Sequence, residues 1–132
     1  VGEVNLFIDG LKVSDAAQTT AAIGMNWEIM DKTFFTVDYN YFADLYADFD
    51  PNDRGTKGPQ AWKVPDYSTF DMSLRYGFKL GSLDTMLTGR MNNVFDTEYL
   101  ADAQDGAGSV ANTALVWYGY GRTFNVSYKI KF

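Results

Sequence analysis

Along most of the chain, apolar and polar residues alternate with a period of two, the repeat of a β-strand with one apolar face. The last residues show it most cleanly. Phe124, Val126, Tyr128, Ile130 and Phe132 alternate with Thr123, Asn125, Ser127, Lys129 and Lys131. Upstream, Phe70, Met72, Leu74, Tyr76 and Phe78 alternate with Thr69, Asp71, Ser73, Arg75 and Gly77. Phe35, Val37, Tyr39 and Tyr41 oppose Thr36, Asp38 and Asn40, and Ala21, Ile23, Met25, Trp27 and Ile29 oppose Ala22, Gly24, Asn26 and Glu28. Residues 83–99 carry a weaker version, with Leu87, Gly89 and Met91 against Thr88, Arg90 and Asn92. Val4, Leu6 and Ile8 read as the end of a further strand. Ser14 or Asp15 ahead of an Ala-rich run also permits a capped helix to Ala22, but the period-two pattern begins inside that run. The expectation is an all-β, antiparallel chain of roughly five to six strands.

The links sort by length. Met30-Asp31-Lys32-Thr33 and Lys79-Leu80-Gly81-Ser82 are tight turns, whereas residues 48–66 and 100–113 are long and rich in turn formers. Short turns on one side and long loops on the other are the habit of an up-and-down transmembrane β-barrel. Residue placement agrees. Tyr39, Tyr41, Tyr99, Trp117, Tyr118 and Tyr120 adjoin the long loops, and Trp27, Phe35, Phe78, Tyr128 and Phe132 adjoin the short turns or the C-terminus. Two aromatic belts flanking an apolar band suit the two interfaces of a bilayer. The opposite faces, with Asp38, Asn40, Asp71, Arg75, Arg90, Asn125, Lys129 and Lys131, suit a wet lumen, where Asp71 with Arg75 and Asp38 with Arg90 could pair. A soluble lipocalin-like barrel or a sandwich also alternates, so a soluble or self-associating β-sheet binding module is the alternative.

Composition narrows the chemistry. Aromatic residues make up 17% of the 132 residues, including 9 Tyr, which favours surfaces with one apolar and one wet side. A net charge of −6 argues against a nucleic-acid partner. Cys and His are both absent, which removes disulfides, thiolate sites and the commonest general base and metal ligand. No run approaches the ~18 apolar residues of a membrane-spanning helix.

Several segments, in order, resemble the end of a TonB-dependent receptor, the family of large plugged outer-membrane transporters. Gly10-Leu11-Lys12-Val13-Ser14-Asp15-Ala16-Ala17 looks like the family's Gly-x-x-Val-x-x-Ala-Pro loop, with Ala17 where Pro is common. Asp38-Tyr39-Asn40-Tyr41-Phe42-Ala43-Asp44-Leu45-Tyr46-Ala47 is similar to the ascending aromatic strand that follows. Asn93-Val94-Phe95-Asp96-Thr97-Glu98-Tyr99 resembles its Asn-Leu-Phe-Asp-x-x-Tyr stretch, and residues 119–132 resemble its closing strand with the terminal Phe in place. The Asp- and Tyr-rich style is similar to Bacteroidetes members. The resemblance implies that residues 1–132 are the C-terminal part of a barrel of roughly 22 strands, with the plug outside this chain. It implies a bacterial outer-membrane transport protein importing a bulky nutrient (a siderophore, cobalamin, glycan or peptide). The implied partners are outer-membrane lipid, the barrel-assembly machinery, TonB through an N-terminal region, and a surface lipoprotein. No cofactor is implied.

Within that resemblance, Phe124, Val126, Tyr128, Ile130 and Phe132 are similar to the signal read by the barrel-assembly machinery, although Ser127 stands where Gly is often found and Ile130 where an aromatic is frequent. Trp62 in the long loop is the candidate ligand contact, against the reading of an aromatic tucked at the rim. Residues 48–55 faintly resemble a calcium loop, but Pro51 stiffens it and Pro59 stands where the bidentate Glu belongs. Gly106-Ala107-Gly108 lacks the strand-to-helix setting of a phosphate loop, and the sequon Asn125-Val126-Ser127 lies mid-strand. No nucleophile–base constellation is present, so no enzyme is expected.

Overall fold

A computed structural model describes residues 5–132, which form antiparallel sheets with no α-helix. Seven strands follow in order: β1 (Thr19–Met30), β2 (Thr33–Ala43), β3 (Tyr67–Leu80), β4 (Leu83–Asn92), β5 (Leu100–Gln104), β6 (Leu115–Tyr118) and β7 (Thr123–Lys131). The strands β1, β2, β3, β4 and β7 make one five-stranded sheet in that order, and β5 pairs with β6 in a second. The sheet is open among the described residues, with β1 and β7 at its edges.

The tight links close as expected. Only Asp31-Lys32 separates β1 from β2, and only Gly81-Ser82 separates β3 from β4. Each turn places one residue in the left-handed region, Lys32 at φ 54° and Gly81 at φ 63°. So short a reversal joins antiparallel neighbours and nothing else.

Three expectations change. Val4 lies outside the described residues, and Leu6 and Ile8 belong to no strand; the Phe7 amide donates instead to the Arg54 carbonyl at 2.8 Å. The segment read as one strand over residues 83–99 stops at Asn92, because Asn93 (φ 50°) and Asp96 (φ 55°) turn the backbone out of the extended region. The link over residues 100–113 begins as strand, since β5 finds a partner in β6. Residues 14–22 are not helical, and β1 starts at Thr19.

The chain divides into two compact units. The first comprises residues up to Thr20 with Phe42–Tyr67 and Tyr99–Gly119; the second comprises Ala21–Tyr41, Ser68–Glu98 and Tyr120–Phe132. The buried core lies in the first. Leu45, Ala47, Val64 and Ala103 are buried together, with Ala17, Trp62, Leu100 and Val116 packed against them. Backbone bonds tie the same loops: Ala47 to Trp62, Val64 to Leu45, Asp48 to Ala103 and Asp105 to Asp48. Thus the long links form an ordered body of their own. Gly106 permits a tight approach there, since any Cβ would run into the Thr113 backbone carbonyl.

Candidate functional site

In the second unit the alternation sorts residues onto two faces, and the register shows how. β3 and β4 place Met72 opposite Met91, Leu74 opposite Gly89 and Tyr76 opposite Leu87. β4 and β7 then place Met91 opposite Phe124, Gly89 opposite Val126, Leu87 opposite Tyr128 and Thr85 opposite Ile130. Directly opposed residues share a face, so these side chains form one apolar surface across three strands. Trp27 stacks on Phe35 at 6.2 Å, which extends it across β1 and β2. At Gly89 the surface dips into an apolar notch lined by Met72, Leu74, Met91, Phe124 and Val126.

No other part of the second unit covers this face. Ile23 is 66% exposed, Phe124 68% and Val126 75%, and Met25, Trp27, Ile29, Leu74 and Tyr128 are exposed too. Full burial of such a side chain is worth about 1.5–3 kcal/mol. These eight left half-exposed therefore forgo on the order of 10 kcal/mol, as much as the whole stability of an ordinary domain.

The opposite face is polar and internally bonded. The Arg90 guanidinium lies 4.0 Å from the Asp38 carboxylate and 3.9 Å from that of Asp71, and Thr36 donates to Asn26 at 3.0 Å. Asn92 donates to Thr123 across β4 and β7. Asp38 thus pairs with Arg90 as expected, but Asp71 pairs with Arg90 and not with Arg75. The Arg75 guanidinium stacks over the Phe34 ring at 4.6 Å, because Phe34 shares the polar face of β2 with Asp38 and reaches it first.

The Asn93–Tyr99 stretch is a built turn. Asn93 is buried; its side-chain amide donates to the carbonyls of Thr97 (2.9 Å) and Tyr120 (3.3 Å), and its side-chain carbonyl accepts from the Thr97 amide (2.9 Å). Its own amide donates to Asp71, and the Asp96 carboxylate accepts from the Arg122 amide at 2.7 Å. The turn therefore fixes the entry to β7 against β3 and β4.

β7 runs from Thr123 to Lys131 and displays its alternation on two faces. Phe124, Val126, Tyr128 and Ile130 lie on the apolar face, and Phe132 follows the strand end, 98% exposed. Among the described residues β7 pairs with β4 alone, which leaves its outer edge with unpaired backbone groups there.

In the first unit, Trp62 packs against the buried cluster, its amide bonded to Asp105 and its carbonyl to Ala47. Tyr99 stacks on Tyr67 at 4.2 Å, and Tyr67 on Phe42 at 4.9 Å, so Tyr99 belongs to an aromatic stack and not to an exposed belt. Trp117 and Tyr118 are exposed. Sequence reasoning missed two ionic centres here. Arg54 is buried against Asp105 at 3.1 Å and donates to the Pro59 carbonyl; Lys63 bridges Asp44 at 2.7 Å and Asp66 at 3.3 Å. Arg54 and Asp105 stand 51 residues apart in the sequence, and no local pattern announces such a pairing. Hydrogen bonding from Lys63, then from Thr19, holds the Asp44 carboxyl below the usual aspartate range. In residues 48–55, Asp50 caps a short 3-10 turn by accepting from the Asn52 amide. Among the described residues no group of acidic side chains is arranged to hold a metal ion.

Comparison with protein-family models, with curated proteins and with solved structures finds no match.

Proposed function

We propose that this chain is the C-terminal wall of an outer-membrane β-barrel of the TonB-dependent receptor kind, a transport protein importing a bulky nutrient. The observation that carries the reading is the apolar face running uncovered across β1, β2, β3, β4 and β7, backed by a polar, charge-bearing face. Hydrocarbon would cover the first face, and a wet lumen would hydrate the second. Unpaired strand edges are not tolerated in hydrocarbon, so on this reading β1 and β7 each pair with further strands and close a barrel of roughly 22. The alternation of Phe124, Val126, Tyr128, Ile130 and Phe132 supports β7 as the strand offered to the barrel-assembly machinery. The sorted links support a short-turn side facing the periplasm and a long-loop side facing out, towards nutrient or a surface lipoprotein. Energy would come through TonB, acting on the plug that precedes the barrel in this family. No catalytic role is assigned.

Intact mass in the source membrane tests this, by denaturing gel and mass spectrometry. A polypeptide several times heavier than 14.8 kDa is expected. A native species of that size would remove the single-chain receptor and leave a sheet that covers its apolar face with copies of itself.

A further inference from the structure

The register of β7 on β4 is not set by the chain that joins them. Only Gly81-Ser82 separates β3 from β4, and so short a turn admits one pairing. Between β4 and β7 lie residues 93–122, a link long enough to admit several. The strands themselves do not choose either. In the observed register Met91 faces Phe124, Gly89 faces Val126 and Leu87 faces Tyr128. A slip of two residues would set Met91 against Val126, Gly89 against Tyr128 and Leu87 against Ile130. Apolar residues would again share a face, because the side-chain period is two. On the other face Arg90 would meet Ser127 in place of Asn125, and no like charges would be opposed.

Two side chains in the turn after β4 supply what the strands lack. The Asn93 backbone amide donates to the Asp71 carboxylate on β3, and its side-chain amide donates to the Tyr120 carbonyl at 3.3 Å, just ahead of β7. The Val94 amide adds a bond to the Phe70 carbonyl at 2.7 Å, which ties the turn to β3 a second time. Asp96 then accepts from the Arg122 amide at 2.7 Å. Gly121 leaves room for that contact, since a Cβ there would stand 2.8 Å from the Asp96 carboxylate oxygen. Tyr120 and Arg122 are thus held where Thr123 begins to pair with Asn92. A β7 displaced by two residues would carry them ~7 Å away, and both contacts would be lost.

We propose that Asn93 and Asp96 are positioning residues that select the register of β7 on β4. Selection itself involves only β3, β4, β7 and the turn between them. Its consequence rests on the barrel reading. Strand number and stagger together fix how a barrel closes. A two-residue slip of β7 would therefore offer the wrong residues to the next strand while leaving both faces of the sheet unchanged. Alternation cannot guard against that error, and two side-chain contacts at one end of the strand can.

Disulfide trapping reads the register directly, because residues 1–132 contain no Cys and only directly opposed positions come within bonding distance. Two pairs are introduced separately into the whole protein, and the joined peptides are mapped. Leu87→Cys with Tyr128→Cys is opposed in the observed register; Leu87→Cys with Ile130→Cys is opposed only after the slip. With Asn93 and Asp96 intact, the first pair alone should join. Asp96→Ala should raise the slipped disulfide about tenfold, the worth of one hydrogen bond to a charged group. Gly121→Ala, which crowds the same contact, should do likewise, whereas Asp96→Asn keeps an acceptor for the Arg122 amide and should stay at background. A slipped disulfide at background in both Asp96→Ala and Gly121→Ala would overturn the proposal. So would equal slippage in Val64→Ala, which loosens a buried cluster elsewhere and would trace the register to general stability. The intact mass decides the barrel reading separately, because both trapped pairs lie within β4 and β7.

Discussion

Asn93 joins three stretches of backbone through one side chain, and it does so from a left-handed conformation that asparagine tolerates better than most residues. Replacing it with Ala removes three part-buried hydrogen bonds, at a cost of about 3 kcal/mol. Unfolding of Asn93→Ala should register that loss, and a cost within 0.5 kcal/mol, the range of ordinary surface changes, would deny the turn its role. The Asn-x-x-Asp spacing made this stretch visible in the sequence, but not which partners it would bind. Asp44 gives a second residue-scale expectation. Its folded-state carboxyl titrates below its ordinary value, so its ionic contribution is complete above the usual aspartate range and is lost as pH falls through the depressed one. Lys63→Met should move the Asp44 midpoint upward in an NMR titration; an unmoved midpoint would mean that the contact at 2.7 Å does not hold the charge.

At the scale of elements, β7 offers a direct comparison of its two faces. Val126 lies on the apolar side and Ser127, its neighbour, on the polar side. A lysine on a lipid-facing strand position costs ~2–4 kcal/mol at mid-membrane, whereas a lumen-facing one is tolerated. Val126→Lys should therefore destabilise the folded protein in lipid by that amount while Ser127→Lys changes it little. Equal, small effects would indicate that water, not lipid, meets Val126. The strands were legible because period two is written residue by residue: Phe70 to Phe78 and Phe124 to Ile130 landed on one face without any knowledge of the fold. The end of β4 was not, since Asn92 and Asn93 look alike in sequence and differ only in backbone angle. Nor was β5, whose short Leu100–Gln104 run becomes a strand only because β6 returns beside it.

For the whole molecule, the exposed apolar face makes solvent the deciding variable. Transfer from detergent to plain buffer should drive aggregation, as large contiguous apolar patches do, measured by light scattering and size-exclusion chromatography. A folded monomer persisting in buffer would remove the membrane reading. The loops present the opposite case. Residues 42–67 and 99–119 fold together around Val64 and Ala103, and Trp62 is partly buried against that cluster.

The sequence by itself determined the strand type, the two tight turns and the division of side chains between an apolar and a polar face. Those features depend on neighbours one, two or four residues away, whose spacing the chain carries directly. The tertiary structure alone decided that Arg90 takes both Asp38 and Asp71 while Arg75 takes Phe34, and that Arg54 is buried on Asp105. Each depends on strand register and loop return, which bring together residues far apart along the chain, and no local pattern of hydrophobicity encodes that distance.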